Sequence, residues 1–381
     1  MTSATAGGSL RGKDLRQAVR ITRSKEVTAE MSASRDLDEA RAGLRMIQTE
    51  PFNAEAPPEA LQDAITPTHL HYVRSNFALP RHDGNLTIGG AVAKPVTLTL
   101  AELRALPATE RVVTLECAGN GRLDQKPLPT GEPWGGYAVS TSSWTGTPLS
   151  KVLDEAQPAA AGVEVVFEGA DHGPYYQYTD IRFIRSLPLS LAVDPEAEIL
   201  IAYEMNGEPL SPDHGAPFRL IVPNWFGVAS VKWLSTITVA TEPYEGEFQT
   251  SHYMYEWSDR PHEPVTLLRV RSRITDPAPA ATIPAGSYTV RGKAWSGTGP
   301  VTNVDICFTG EGEWFPAQVA PPTEPYQWQD WSFTWQVSKV GRHSLRARAT
   351  DAAGNVQPDV PPWNRLGYGN NAVEVIYVDV R

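Results

Sequence analysis

From about residue 265 to the end, the chain breaks into short runs of β-branched and aromatic residues: "YTVRGKAWSG", "VTNVDICFTG", "WSFTWQV", "HSLRARATD" and "AVEVIYVDV". Clusters of Gly, Pro, Asn and Asp separate them. Short strands spaced by turn residues leave few solutions besides an antiparallel β-sandwich, because each strand must bury one face against a second sheet. The Pro-rich stretch "ITDPAPAATIPAG" in front of them reads as a linker or a first edge.

Residues 61–260 have another texture. Apolar strands ("LTIGGAV", "VEVVFEG", "EILIAYEMNG", "FRLIVPNW", "VKWLSTITVA") alternate irregularly with short helical segments. "TLAELRAL" carries a capping-box pattern, Thr99 followed by Glu102, and "SKVLDEA" is a shorter relative of it. Scattered short helices without βαβ alternation predict an α+β domain. Residues 1–60 read as a polar arm. Its single predicted helix is "SRDLDEARAGLRMI", with Leu37, Ala40, Leu44 and Ile47 at helical spacing and Ser34 as cap. The expected organisation is therefore an arm (1–60), an α+β domain (61–260) and a sandwich (261–381).

The net charge of −11 argues against nonspecific nucleic-acid binding, which needs a cationic face, but leaves room for a local cationic pocket. No apolar run is long enough to cross a membrane. The first residues lack the apolar core of a secretory signal, so a cytoplasmic location is the expectation. Two cysteines in 381 residues make no disulfide framework.

One of those cysteines sits in "LECAGNGR", residues 115–122. "TERVVTLE" leads into it as a buried strand, and small and turn-forming residues follow. Cys117 is then either a small core side chain at a strand end, the commoner fate of a free cysteine, or a thiolate beside Arg122, poised to bind a metal. The stretch alone leaves both open.

Three segments in collinear order carry a resemblance: "LECAGNGR", "AYEMNGEPLSPDHGAPFRLIVPNWFGVASVKWL", and "ATDAAGNVQPD" with the following "PPWNRLGYGNNAVEVI". Together they resemble the sulfite oxidase family of molybdenum enzymes over roughly residues 65–381. The resemblance implies a mixed α+β molybdopterin-binding domain followed by an immunoglobulin-like β-sandwich dimerisation domain, hence a homodimer.

It also implies roles. Cys117 would be the metal's thiolate ligand, the soft donor such a centre takes. Cys307, in a sandwich strand, would be packing. His214, Arg219 and Lys232 match the family's pterin-anchoring positions, Asp171 its pterin-contacting aspartate, and Arg74 and Asn76 lie in the segment beside the cofactor. Arg74 and Arg122 match two arginines that hold a small oxyanion, Trp134 a pocket tryptophan and Tyr253 an active-site tyrosine.

Two departures stand out. Asn76 replaces a histidine of the family pattern. In "PPWNRLG" the second residue after "WN" is Leu366, where animal enzymes carry a third pocket arginine. Arg365, one place earlier, is the nearest substitute, although neighbours on a strand point to opposite sides.

The function implied is oxygen-atom transfer at a molybdenum–molybdopterin cofactor, sulfite to sulfate being its simplest form. Electrons would pass to an external acceptor such as a cytochrome, because no haem, flavin or iron–sulfur motif is seen in the chain. Two alternatives remain: a reductase of an S-oxide or N-oxide such as methionine sulfoxide on the same scaffold, or a metal-free binding protein. The intact Cys117 and anchoring set argue against the last.

Overall fold

The computed structural model describes residues 37–257, 259–308 and 312–381. Residues 44–381 form one unit built of paired sheets. Among the described residues, no helix is long and apolar enough to cross a membrane.

Two five-stranded sheets build the first half. In one, Thr109–Glu116, Val139–Pro148 and Leu200–Met205 run antiparallel, with Arg219–Ile221 and Glu208–Pro209 both pairing with the last. In the other, Leu234–Ala240 lies between Asn85–Gly90, to which it is parallel, and Glu164–Tyr175, to which it is antiparallel. Val96–Thr99 and Tyr178–Pro188 close its edges. The helix Leu100–Ala105 starts with the expected reciprocal cap. Thr99 Oγ1 accepts from the Glu102 N–H, and the Glu102 carboxylate accepts from the Thr99 N–H. The helix Leu149–Ala156 begins at Pro148 instead, without a side-chain cap.

The second half is a β-sandwich, as the turn spacing predicts. One sheet runs Arg271–Asp276, Gly286–Trp295, Gln329–Val337 and Gln318–Val319. The other runs Thr282–Ile283, Val375–Val380, Gly341–Asp351, Val301–Cys307 and Phe315–Pro316. Strict alternation marks its last strand, where Ile376, Val378 and Val380 are buried and their neighbours exposed. Each such side chain contributes about 1.5–3 kcal/mol by leaving water. The Pro-rich stretch joins the sandwich rather than linking to it, since Arg271–Asp276 and Thr282–Ile283 both pair in its sheets. Cys307 is fully buried there.

The halves meet along the strand that ends at Cys117. Thr114 N donates to Tyr326 O (2.9 Å), and Trp328 N donates to Thr114 Oγ1 (2.9 Å). This explains why Thr109–Glu116 is buried progressively toward Glu116.

Two expectations for the first 60 residues need correction. Ser34 lies outside the described residues. Leu37–Ala40 is helical, but Gly43 takes φ +93° and Arg45–Gln48 is a strand paired with Asn53–Glu55, so Leu44 and Ile47 are on no helix. Residues 53–60 are also not part of an arm: Asn53, Ala54, Glu55, Ala56 and Ala60 are at most 1% exposed. Glu55 is fixed there by the Gly135 and Tyr137 N–H groups, which its carboxylate accepts (2.6 and 3.0 Å). Isolated polar residues in that stretch mimic a solvated segment, although Asn53 and Glu55 Oε1 are hydrogen-bonded internally.

Candidate functional site

Cys117 emerges at the buried end of its strand, where its N–H donates to Ala138 O (2.9 Å) and its carbonyl accepts from Asn120 N (2.9 Å). Asn120 in turn donates to Glu116 Oε1 and accepts from Ala138 N. Arg122 folds back across the turn. Its Nε donates to Leu366 O (3.0 Å) and its Nη1 to Glu132 O (2.6 Å). A Cβ at Gly119 would fall on this guanidinium, and one at Gly131 would lie 2.9 Å from its central carbon. Both glycines therefore make room for the arginine.

Two cavities meet at this point. The first, about 660 Å³, is lined by Cys117 and by His71, Asp171, His214, Arg219, Lys232 and their neighbours. The second, about 760 Å³, is lined by Arg122, Glu132, Tyr175, Tyr176, His252, Leu366 and Tyr368, and both communicate with solvent. Arg74, Asn76, Cys117 and Tyr253 line both, so they form the wall between them.

The first cavity concentrates basic groups. Arg219 donates to the carbonyls of His214 and Ser230 (both 3.1 Å), and Lys232 donates to Ser75 Oγ (2.8 Å) and Asp213 O (2.9 Å). Burial pushes His214 down to about 3, helped by Arg219 and Lys232. Burial also brings Arg219 down to about 10. Lys232 is lowered by burial and by Arg219, while Asp171 is raised by burial against the pull of Lys232. His71, its ring 5.0 Å from that of His214, is held well below its usual value by burial and by His214. Arg219 Nε, His71 Nε2 and Asp171 Oδ1 are buried without a hydrogen-bond partner among the described residues. Crowded bases with one spare guanidinium donor and two spare acceptors describe a receptor for a polar, partly anionic group.

The shared wall is tightly braced. Arg74 donates to the Ser75 carbonyl and to Asn76 Oδ1 (2.7 Å), and Ser75 N donates to the buried Asn53 (2.7 Å). Burial raises the Cys117 thiol, with Arg74, Arg122 and the Gly119 N–H pulling the other way. Burial likewise raises the Tyr253 phenol, so it stays a proton donor. Tyr253 takes φ +60° and stacks on Tyr368 with centroids 5.1 Å apart.

Of the residues singled out from sequence, nine face one or both cavities: Arg74, Asn76, Cys117, Arg122, Asp171, His214, Arg219, Lys232 and Tyr253. Two do not. Trp134 is fully buried in a cluster with Tyr72, Val113 and Leu115 and lines neither cavity. The chain turns at Gly131, and Glu132 takes the cavity wall instead. Arg365 also lines neither. Its guanidinium makes a two-pronged pair with Glu256 (both 2.6 Å) and stays 58% exposed, while Leu366 faces the cavity. The missing third cation is therefore not recovered by its neighbour. Glu132, His252, His71 and the tyrosines other than Tyr253 were not anticipated; the one signal for Glu132 was a charged residue between Gly131 and Pro133.

Two family descriptions match this chain: an oxidoreductase molybdopterin-binding domain over residues 76–248 and a Mo-co oxidoreductase dimerisation domain over residues 262–380. Sulfite oxidase of Gallus gallus is 35% identical over 351 residues, covering 85% of this chain and 75% of that one. Mitochondrial sulfite oxidase of Homo sapiens is 35% identical, covering 88% and 66%. The chain thus spans about two thirds of the length of the mammalian relatives. Nitrate reductase [NAD(P)H] of Hordeum vulgare is 35% identical over 86% of this chain and 41% of its own. Among solved structures, the sulfane dehydrogenase SoxCD of Paracoccus pantotrophus superposes with a TM-score of 0.79 at 26% identity, covering 90% of this chain and 89% of that one. The collinear motifs, the paired domains and these matches lead to one assignment: this chain belongs to the sulfite oxidase family of molybdopterin-dependent oxidoreductases.

Proposed function

We propose that the protein oxidises a small sulfur oxyanion, in its simplest form sulfite to sulfate, and passes the electrons to an external carrier such as a cytochrome. The observation that carries this reading is the shared wall, which sets the Cys117 thiol and the Arg74 guanidinium at the junction of two cavities, with Arg122 beside them in the second. The basic cavity fits the cofactor's anionic tail. Arg219 Nε is a spare donor for a phosphate oxygen, Lys232 and His214 stand beside it, and His71 Nε2 and Asp171 Oδ1 are spare acceptors for pterin N–H groups. Cys117 would be the ligand to its metal. When bound, the cofactor supplies a centre that exchanges an oxygen atom and two electrons.

The chain's own residues do the rest. Arg74 and Arg122 hold the oxyanion from the second cavity, each charged hydrogen bond contributing about 1.5–3 kcal/mol. Tyr253 keeps its proton and donates toward the reacting oxygen. The sandwich, which carries no motif of its own for the chemistry, serves association, and closed two-fold dimers are the commonest outcome. Light scattering on the purified protein is expected to give twice the chain mass at micromolar concentration; a monomer would leave the sandwich without this role.

The direction of reaction is open to test because the scaffold is similar to that of a nitrate reductase as well. Molybdenum-loaded protein should reduce ferricyanide with sulfite as donor, and should not oxidise a reduced viologen with nitrate or methionine sulfoxide. The reverse pattern would overturn the proposal.

A further inference from the structure

The second cavity holds a carboxylate as well as two cations. Glu132 Oε1 lies 3.1 Å from Arg74 Nη2, and Oε2 lies 3.8 Å from Arg122 Nη1. Its side chain is 24% exposed, on the cavity wall. Burial opposes its ionisation, yet Arg74, its own backbone N–H, Arg122 and His252 together hold it below the usual carboxylate range. The remaining ionisable group there besides the tyrosines and Cys117, His252, is already engaged by Glu247 at 2.8 Å. Arg74 and Arg122 thus face the substrate space with one of their two charges offset.

The rest of the wall is aromatic and apolar. The Tyr175 and Tyr176 rings lie 5.1 and 5.0 Å from the His252 ring, Tyr368 stacks on Tyr253, and Leu366 fills the place of a third cation. A sulfite dianion would leave this side unused and would meet the Glu132 carboxylate. An ion with one negative charge and one organic group would use both halves of the cavity.

We propose that Glu132 sets the charge of the substrate cavity so that it takes an organic sulfinate, R–SO₂⁻, in preference to the sulfite dianion. This rests on the oxyanion-oxidising reading above and names its substrate class. The reaction is R–SO₂⁻ + H₂O → R–SO₃⁻ + 2 H⁺ + 2 e⁻. One S–O bond forms, sulfur loses an electron pair, water supplies the oxygen, and two equivalents of a one-electron acceptor take up the electrons. Arg74 and Arg122 hold the two sulfinate oxygens, and the R group lies against Tyr175, Tyr176, Tyr368 and Leu366. Whatever charge the bound cofactor brings is common to both substrates and to every variant, so it does not enter the comparison.

The test compares methanesulfinate with sulfite as donors to ferricyanide, using molybdenum-loaded protein in mildly alkaline buffer where sulfite is the dianion. The wild type should show the higher kcat/KM with methanesulfinate. Glu132→Gln should raise kcat/KM for sulfite relative to methanesulfinate by about tenfold to a hundredfold, mainly through KM, as removal of one charge at ion-pair range in a partly screened site implies. Glu132→Asp keeps the charge and should keep the wild-type preference. Calorimetric binding of methanesulfonate and sulfate to the same protein gives a readout without turnover, and the monoanion should bind more tightly. A wild type that prefers sulfite and binds sulfate more tightly overturns the inference, whether or not the variants fold, and leaves the oxidase reading standing. Failure of that reading looks different: neither oxyanion is oxidised by metal-loaded protein, while the calorimetric preference still decides the role of Glu132.

Discussion

Cys117→Ser is expected to abolish turnover while leaving the fold in place. The fold does not depend on the sulfur. The loop is held by backbone and side-chain bonds, Cys117 N to Ala138 O, Asn120 N to Cys117 O, and the Asn120 side chain between Glu116 and Ala138. The thiol itself is 8% exposed at the meeting of two cavities. A serine hydroxyl there would cost ~1–3 kcal/mol if no partner compensates it, too little to unfold a chain of this size. The chemistry changes far more. A thiolate is a soft, polarisable donor of the kind such a metal takes, and although burial raises this thiol against the pull of Arg74, Arg122 and the Gly119 N–H, a hydroxyl is far harder to ionise and stays a hard donor. Measured together, turnover with ferricyanide, molybdenum content and the thermal midpoint separate these effects. The expected result is activity below detection with the midpoint within a few degrees of wild type. Full activity with molybdenum bound would remove Cys117 from the role of ligand.

The contrast between Cys117 and Trp134 shows what could be read from the sequence. Local pattern sufficed for the sandwich, because alternation such as that in Val375–Val380 has one physical meaning. It sufficed for the Thr99 cap, which is made within four residues. The basic cavity was also legible, since its cations follow one another in "DHGAPFR" and "SVKW" at collinear motif positions. Trp134 failed because a tryptophan near a cysteine in sequence fills either a pocket or a core, and only the turn at Gly131 decides which. Glu132 was missed for the same reason. Its meaning comes from Arg74, 58 residues earlier in the numbering, and no local pattern reports an ion pair across that distance. Arg365 failed through a partner on another segment, Glu256, which takes its charge outside the cavity. The buried stretch 53–60 misled because some of its polar atoms are held by residues far along the chain, as Glu55 Oε1 is by Gly135 and Tyr137 and Asn53 Oδ1 by Ser75.

A second large effect is expected at the junction of the two halves. Glu116 immediately precedes Cys117 and is 2% exposed, and Arg271, at the start of its sandwich strand, is 4% exposed. Arg271 Nη1 donates to Glu116 Oε1 (2.8 Å) and to Asn370 O (2.9 Å), while Trp295 Nε1 donates to Glu116 Oε2 (2.8 Å). Asn370 Nδ2 reaches the Gly121 carbonyl (2.6 Å), so the sandwich grips the Cys117 loop at both ends. Arg271→Ala leaves a buried carboxylate without its cation, which costs about 3–5 kcal/mol. Glu116→Gln should cost less than that, because an amide keeps an acceptor for Trp295 or Asn120 and leaves the guanidinium its bond to Asn370. Removing both partners with apolar residues, Glu116→Leu with Arg271→Met, should be milder than the sum of the single changes, since neither charge is then stranded. Denaturant unfolding of the wild type, Arg271→Ala, Glu116→Gln, the double variant, and Glu116→Leu and Arg271→Met made singly measures these differences. The loop's tether has its own readout, the rate at which a thiol reagent modifies Cys117 in cofactor-free protein, which should rise in Arg271→Ala well before the global transition. Arg271→Ala melting within ~1 kcal/mol of wild type, with an unchanged modification rate, would mean that the Cys117 loop stands without the sandwich's grip and that the ion pair is only incidental to the site.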